Sequence, residues 1–257
     1  MRRGGIFLMA LLAFASAAGA EGFSFSIEPA RVELTAPAGK RRGKVVVVNN
    51  SHSDKPLHLR TYMRDVVYTP DGTHEFPEAG STEWSCASWL QVTPAVIDVP
   101  AKRTAEVRIS ATAPADAKGG HYAIVFFESE PTLTEIGVGI NFRIGALVEV
   151  AVPNTTVMEA KLTNMLFQPP KSLVMEIFNN GNVLVRPKGK IKLQDAAGNR
   201  TAELDFNAQA LGILPRTLRR YVTPIESPVA KGTYRAKAEI DYGSRYLLVG
   251  ELPVTIE

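Results

Sequence analysis

The chain has 257 residues, with 29 basic and 26 acidic side chains and a single cysteine. This length suits two domains of ordinary size, since a domain usually holds about 100–200 residues. Loss of Arg2 and Arg3 with the leader discussed below lowers the formal net charge from +3 to about +1, so no global field favours nucleic acid. Because Cys86 has no partner for an intramolecular disulfide, core burial must hold the fold together.

The first twenty residues have the order of a secretory signal. Arg2 and Arg3 precede an apolar run over residues 6–15, and the small residues Ala18-Gly19-Ala20 follow, which predicts cleavage after Ala20. The run is too short for a membrane helix, and no other stretch approaches about 18 apolar residues. No cysteine lies at the cleavage site, which disfavours a lipid anchor. We therefore expect an exported protein without a membrane span.

Helical patterning is almost absent, and short strands separated by turn residues follow the leader. The predicted strands of the first half are 23–34, 44–49, 57–67, 89–97, 105–109, 121–128 and 136–152. Pro29 interrupts the first of them, as in an edge strand or a strand that switches sheets. About seven strands at roughly even spacing predict an immunoglobulin-like sandwich.

Pro153-Asn154 is the predicted domain boundary, because strands and turns begin again beyond it. The predicted strands of the second half are 158–167, 173–179, 189–193, 202–206, 219–222, 234–242 and 246–256. The fold class is therefore all-β, with two immunoglobulin-like β-sandwich domains. We expect a signal peptide over 1–20, an N-terminal domain over 21–152 and a smaller C-terminal domain over 153–257.

The segment 136–152 is the most regular stretch of the chain. Its even positions are all apolar, and its odd positions hold mostly glycine or polar residues, which predicts a strand with one apolar face. It would span about 56 Å, against about 17–20 Å for an ordinary strand. One sandwich cannot cover that length. Either the strand breaks near Gly145, or its first half offers its apolar face to something outside its own core.

No catalytic, metal or cofactor site is predicted. The four histidines lack the spacing of metal ligands, and no Gly-x-Ser-x-Gly elbow occurs. Gly137-Val138-Gly139 neither follows a completed strand nor opens a helix, so it is not a phosphate loop. Such glycines fit a strand whose odd face lies close to another backbone. An enzyme is disfavoured, and a buried, inert Cys86 is expected.

Several segments together resemble the PapD-like periplasmic pilus chaperones. These are Ala30-Arg31-Val32, the pattern V-T-P-A-V-I-D-V-P followed by V-R-I-S within 92–110, the aromatic strand 121–127, Glu130-Pro131, and a strand ending in Val152-Pro153. The resemblance implies two immunoglobulin-like domains set at an angle, a periplasmic location, and the capping of fimbrial subunits by a lent strand. Lys118-Gly119-Gly120 stands where the family has Asp-Arg-Glu, which indicates a divergent member.

The resemblance also implies a site. In the family, two basic residues hold the C-terminal carboxylate of the subunit; Arg31 matches the first, and the second is expected near Val148, where Arg143 is the nearest basic candidate. The lent strand would present an apolar face to an exposed groove of the subunit, and its residues are Ile136, Val138, Ile140, Phe142 and Ile144. The resemblance also implies an outer-membrane usher as a further partner.

Simpler interpretations stay open beside these. The apolar face of 136–144 is also typical of an edge strand that packs into the core of its own sandwich. Arg31 is also typical of an exposed strand arginine that forms an ion pair. The alternative function is an exported two-domain structural or adhesion protein that self-assembles through the same edge strand, since an uncovered apolar edge invites pairing.

Overall fold

The computed structural model describes residues 25–133, 139–226 and 229–256. The strands of the first half are β1 Ser26–Glu28, β2 Arg31–Thr35, β3 Arg41–Asn49, β4 Leu57–Arg64, β5 Val67–Tyr68, β6 His74–Glu75, β7 Leu90–Thr93, β8 Val96–Val99, β9 Thr104–Thr112, β10 Gly119–Ser129, β11 Thr132–Leu133, β12 Gly139–Ile140 and β13 Arg143–Val152. A single 3-10 turn, Ala87–Trp89, is the helical element of the described part of the chain.

The strands of the second half are β14 Ala160–Gln168, β15 Ser172–Asn179, β16 Lys188–Gln194, β17 Arg200–Phe206, β18 Leu218–Pro224, β19 Gly232–Asp241 and β20 Leu247–Ile256. No helix within the described ranges is long and apolar enough to cross a membrane.

The first half forms one sandwich. Its sheets have the orders β1-β3-β9-β7 and β2-β13-β10-β4-β8, and an apolar core contributed by residues from Phe25 to Val152 lies between them. Alternation puts one side of each strand into that core: in β13 the buried residues are Ala146, Val148, Val150 and Val152. Cys86 is buried in the same core, and burial raises the pKa of its thiol, as expected of an inert cysteine.

Two prolines decide how the chain moves between these sheets. The chain switches sheets at Pro29, because β1 pairs with β3 whereas β2 pairs with β13; this is one of the two alternatives that the sequence left open. The predicted strand 89–97 is in fact two strands in different sheets, β7 and β8, on either side of Pro94. Proline lacks the N–H that a continuous ladder would need, so the ladder ends there.

The second half forms a second sandwich, with sheets β14-β15-β18 and β17-β16-β19-β20. Its core is contributed by residues from Leu173 to Ile256. The predicted fold class, two immunoglobulin-like sandwiches, is therefore confirmed.

A small apolar cluster joins the two sandwiches. Val66 and Tyr122 of the first half pack there with Leu184 and Leu214 of the second. The Leu184 N–H donates to the Tyr122 hydroxyl at 2.5 Å, and the Gly120 N–H donates to a backbone carbonyl of the second half at 2.8 Å.

The contacts at this junction explain why glycines occur in the Lys118-Gly119-Gly120 segment. Gly119 has a φ of +77°, and a Cβ there would lie 2.6 Å from the Asn182 carbonyl oxygen. A Cβ on Gly120 would lie 3.3 Å from the Val183 Cα. The glycines thus permit close contact between the halves.

A hairpin makes a second contact between the halves. β5 and β6 form it, and the carbonyl of Pro70 in its turn accepts a hydrogen bond from the Arg220 N–H of β18 at 2.6 Å. A Cβ on Gly72 would clash with the Arg219 guanidinium. The hairpin therefore reaches from the first sandwich onto the second.

Candidate functional site

The two edges of β13 differ in how far they are paired. On one side β10 pairs with β13 along its whole length, from Arg143 to Val152. On the other side β2 pairs in parallel with residues 147–151. Within the described ranges no strand pairs with this second edge over residues 143–146, which we call the open edge.

The direction of the backbone groups at the open edge follows from two hydrogen bonds. The Leu147 N–H donates to the Ala30 carbonyl at 2.9 Å, on the side of β2, whereas the Phe142 carbonyl accepts from Ser129 at 2.9 Å, on the side of β10. Because successive residues of a strand present their N–H and C=O groups to opposite sides, Arg143 and Gly145 direct theirs to the open edge.

The apolar face of this strand leaves the core gradually. From Ala146 to Val152 its inward residues are buried, and Ile144 is partly buried against the first core. Phe142 is 38% exposed and Ile140 is 42% exposed. Of the predicted lent strand, Ile140, Phe142 and Ile144 thus follow the core outward, while Ile136 and Val138 lie outside the described residues.

The strand is interrupted at a different place from the one considered in the sequence. Regular strand pairing is interrupted at Asn141 and Phe142, between β12 and β13. At Gly145, by contrast, the pairing of β13 with β10 is unbroken. The expectation that Gly137 and Gly139 lie close to another backbone is not met at Gly139, where the near neighbour of a Cβ among the described residues is the Pro131 side chain, at 3.7 Å; Gly137 lies outside those residues. Gly145 has much closer neighbours. A Cβ there would lie 2.4 Å from the side chain of Ile124 and 3.1 Å from that of Phe126, so the close neighbours are side chains of β10.

Arg143 lies at the outer end of β13, and neighbouring aromatic rings hold its side chain. The guanidinium carbon is 4.4 Å from the centre of the Phe126 ring, and Nη1 donates to the Tyr62 hydroxyl at 3.1 Å. Arg31 pairs in register with Leu147, four residues further along β13. At about 3.3 Å per residue the two arginines are separated by about 13 Å along the strand.

Arg31 is the first residue of β2 and is half-exposed. Its Nε lies 3.5 Å from an oxygen of Glu149, and its Nη1 lies 3.7 Å from an oxygen of Glu33. The same Glu149 oxygen contacts the guanidinium of Arg186, which belongs to the second half of the chain. The predicted anchor Arg31 therefore lies in a cleft to which both halves contribute charged groups.

The sequence predicted neither Glu149 nor Arg186 for this site. Glu149 occupies an odd position of the alternating strand, so its side chain was expected to face away from the core. That outward position was the one sequence feature that could have indicated a role in the site. Arg186 follows β15 in the second half, and nothing in its local sequence indicates which part of the first half it contacts. Only the packing of the two sandwiches brings it to Glu149.

The cleft also holds Tyr68 and Arg219. Burial raises the pKa of Tyr68, the Glu149 carboxylate adds to that rise, and Arg186, Arg219 and Arg31 oppose it. The Arg219 guanidinium carbon is 5.8 Å from the centre of the Tyr68 ring, and its Nη1 donates to the Gly212 carbonyl at 2.9 Å. Arg31 and Arg186 thus contact the partly buried Glu149 carboxylate, and Arg219 lies beside Tyr68 in the same cleft, an arrangement suited to holding a further anion.

Metal-binding side chains are not grouped in the part of the chain that the structure describes. No group of three or more His, Cys, Asp or Glu side chains that could hold a metal ion occurs among residues 25–133, 139–226 and 229–256. His121 lies against the Trp89 ring, and burial lowers its pKa.

Solved structures with a similar fold include two from fimbrial chaperone systems. A chain from a chaperone–tip adhesin complex of CFA/I fimbriae biogenesis has a TM-score of 0.53 and 17% identity, with 91% of this chain and 100% of that chain covered. The class 5 fimbriae chaperone CfaA has a TM-score of 0.51 and 16% identity, with 91% and 99% covered. No family model and no curated protein matches the chain. The chain therefore has the two-domain fold of fimbrial chaperones, as the resemblance of its motifs implies.

Proposed function

We propose that this chain is a periplasmic chaperone that binds and caps fimbrial subunits by lending them the edge of β13. The observation that carries the proposal is the open edge, where Arg143 and Gly145 present backbone groups and the exposed Phe142 and Ile140 continue the apolar face. A subunit that lacks a strand could pair with those backbone groups and accept those side chains. The proposal requires no catalytic group.

The position of β2 relates the direction of a client strand to Arg31. β2 runs parallel to β13 and begins at Arg31, beside Leu147. A client strand on the open edge over 143–146 would lie in line with β2. If it also runs parallel to β13, its C-terminus arrives at Arg31. The guanidinium of Arg31 would then hold the terminal carboxylate, as charge-assisted pairs of this kind do.

The affinity follows from several modest contributions. Full burial of a large apolar side chain contributes about 1.5–3 kcal/mol, but Ile140 and Phe142 have already lost more than half of their exposure, so each adds about 1 kcal/mol. Hydrogen bonds along the edge add about 0.5–1.5 kcal/mol each, and the bond to a terminal carboxylate about 1.5–3 kcal/mol. We include Ile136 and Val138 in the proposed surface, and Arg143 as a client contact beside it.

The remaining assignments belong to the same proposal. A signal peptide over 1–20 would direct the chain to the periplasm, and an outer-membrane usher would receive the loaded chaperone. We place the domain boundary at Pro153, since β13 ends at Val152 with the last buried residue of the first core. We do not propose the self-assembling structural protein, because the two structures described above come from chaperone systems.

The test separates the apolar edge from the fold. The client is first identified as the subunit that copurifies with the tagged chain from periplasm, and its affinity is then measured for purified variants. Ile140→Asp and Phe142→Asp are each expected to weaken binding by at least about 100-fold, because a carboxylate enters an apolar groove. The melting temperature is expected to change by no more than a few degrees, since both side chains are exposed.

Val222→Asp is the matched control, because Val222 is an exposed strand residue on the second sandwich. It is expected to leave binding unchanged. If Ile140→Asp unfolds the isolated protein, or if all three variants bind alike, the edge is not the client site.

A further inference from the structure

Arg31 is already contacted by two carboxylates in the absence of any client. Glu33 lies on the same strand and its side chain is 61% exposed, so water and salt screen its charge. The Glu149 side chain is only 13% exposed, so its charge is screened much less. A client carboxylate that reaches Arg31 therefore meets a resident anion.

Arg186 makes this resident anion part of the junction. It contacts the same Glu149 oxygen that faces Arg31, and it reaches that oxygen from the second half of the chain. Glu149 thus lies between one cation from each sandwich. How much of its charge remains to be neutralised by Arg31 depends on how strongly Arg186 holds it.

We propose that Glu149 competes with the terminal carboxylate of the client for Arg31, and that Arg186 sets the strength of this competition. The inference rests on the proposed function. In the free protein Glu149 occupies Arg31; when a client arrives, Arg31 turns to the client carboxylate and Arg186 retains Glu149. Glu149 therefore lowers the affinity for chain ends and makes release from the cleft easier.

Two opposite substitutions follow from this arrangement. Glu149→Gln keeps the shape and an acceptor oxygen but removes the competing charge, so the cleft should prefer a carboxylate more strongly. Arg186→Met leaves Glu149 to Arg31 alone, so the preference should fall. Glu33→Gln is the matched control, because it removes a carboxylate equally near Arg31 but exposed to solvent.

The probes are two fluorescent eight-residue peptides of alternating valine and serine, one ending in a free carboxylate and the other amidated. Fluorescence anisotropy on the full chain gives the ratio of their dissociation constants, which is the carboxylate preference. Glu149→Gln is expected to raise the preference at least about tenfold, and Arg186→Met to lower it about fivefold. Glu33→Gln is expected to change it less than about threefold.

The outcomes separate this inference from the proposed function. If neither peptide binds the native chain, strand pairing at the open edge fails, and the inference with it. If both bind equally, carboxylate capture by Arg31 fails. If the native chain prefers the carboxylate but Glu149→Gln does not raise the preference, or Glu33→Gln raises it as much, the inference alone is overturned. Should Glu149→Gln not fold, an unchanged preference in Arg186→Met overturns it.

Discussion

Substitution of Arg31 tests whether this single residue binds the terminal carboxylate of the client. Arg31→Ala is expected to weaken client binding by about one to two decades, because a hydrogen bond to a charged group contributes about 1.5–3 kcal/mol. The fold should be unaffected, since Arg31 is half-exposed. Binding is measured by titration and stability by thermal unfolding. The control is Arg235→Ala, which removes a surface arginine that lies 3.9 Å from Glu251. If the two substitutions weaken client binding equally, Arg31 does not bind the terminal carboxylate.

Asp65 is a buried carboxylate that organises the loop before the 3-10 turn. It accepts hydrogen bonds from the backbone N–H groups of Gly80 and Thr82, at 3.1 and 2.7 Å, and from the hydroxyls of Thr82 and Ser85. Burial by itself would raise the pKa of Asp65, but the hydrogen bonds from Ser85, Gly80 and Thr82 together lower it. The ionised form is therefore the one that the folded protein favours.

A pH-dependent contribution to stability follows from Asp65. Because its pKa is lower in the folded than in the unfolded chain, its contribution is complete above the ordinary value of 3.8 and is lost as the pH falls through the folded value. Asp65→Asn is expected to destabilise the protein by about 1–3 kcal/mol at pH 7. The difference from the native chain should shrink below about pH 4. Urea unfolding at pH 7, 5 and 3 checks this; a difference that is constant with pH would contradict it.

At the scale of strands, the direction of the β13 amides gives a test of edge pairing. Proline is tolerated on an edge strand when the lost N–H faced solvent. Arg143→Pro removes an amide at the open edge, so it should weaken client binding more than Arg143→Ala while leaving the melting temperature within a few degrees. Ile144→Pro removes an amide that faces β10 and should destabilise the fold. If Arg143→Pro binds the client as well as Arg143→Ala does, no client strand pairs there.

The strands show which features the sequence could predict. Over 143–152 the alternation predicts both the strand and its inward residues, because burial on one side fixes the period, whereas the interruption at Asn141 and Phe142 was not predicted. The open edge could not be predicted, because it depends on where β2 begins to pair, more than one hundred residues earlier in the chain. Arg186 was missed for the same reason, since its contact with Glu149 arises from packing between sandwiches. The division of the predicted strand 89–97 into two strands could have been predicted from Pro94, because proline interrupts a strand ladder.

At the scale of the whole molecule, Gly120 controls the junction of the sandwiches. A Cβ on this residue would lie 2.2 Å from the Tyr122 hydroxyl, which accepts the hydrogen bond from Leu184. Gly120→Ala should displace the Tyr122 ring and loosen the junction. We expect the two sandwiches to unfold in separate thermal transitions and the radius of gyration to increase in small-angle scattering. Gly139→Ala is the control, because among the described residues the nearest neighbour of a Cβ there would be the Pro131 side chain, at an ordinary 3.7 Å; one shared transition in both variants would contradict this role.

The most direct test of the lent edge is amide hydrogen exchange of this chain, free and in complex with its client. In the free protein the amides of Arg143 and Gly145 face the open edge and should exchange fast, whereas Ile144 and Ala146, which face β10, should be protected. In the complex Arg143 and Gly145 should become protected, and the amides of β20 should not change. Fast exchange at Arg143 and Gly145 in the complex, with protection elsewhere, would contradict strand donation by β13.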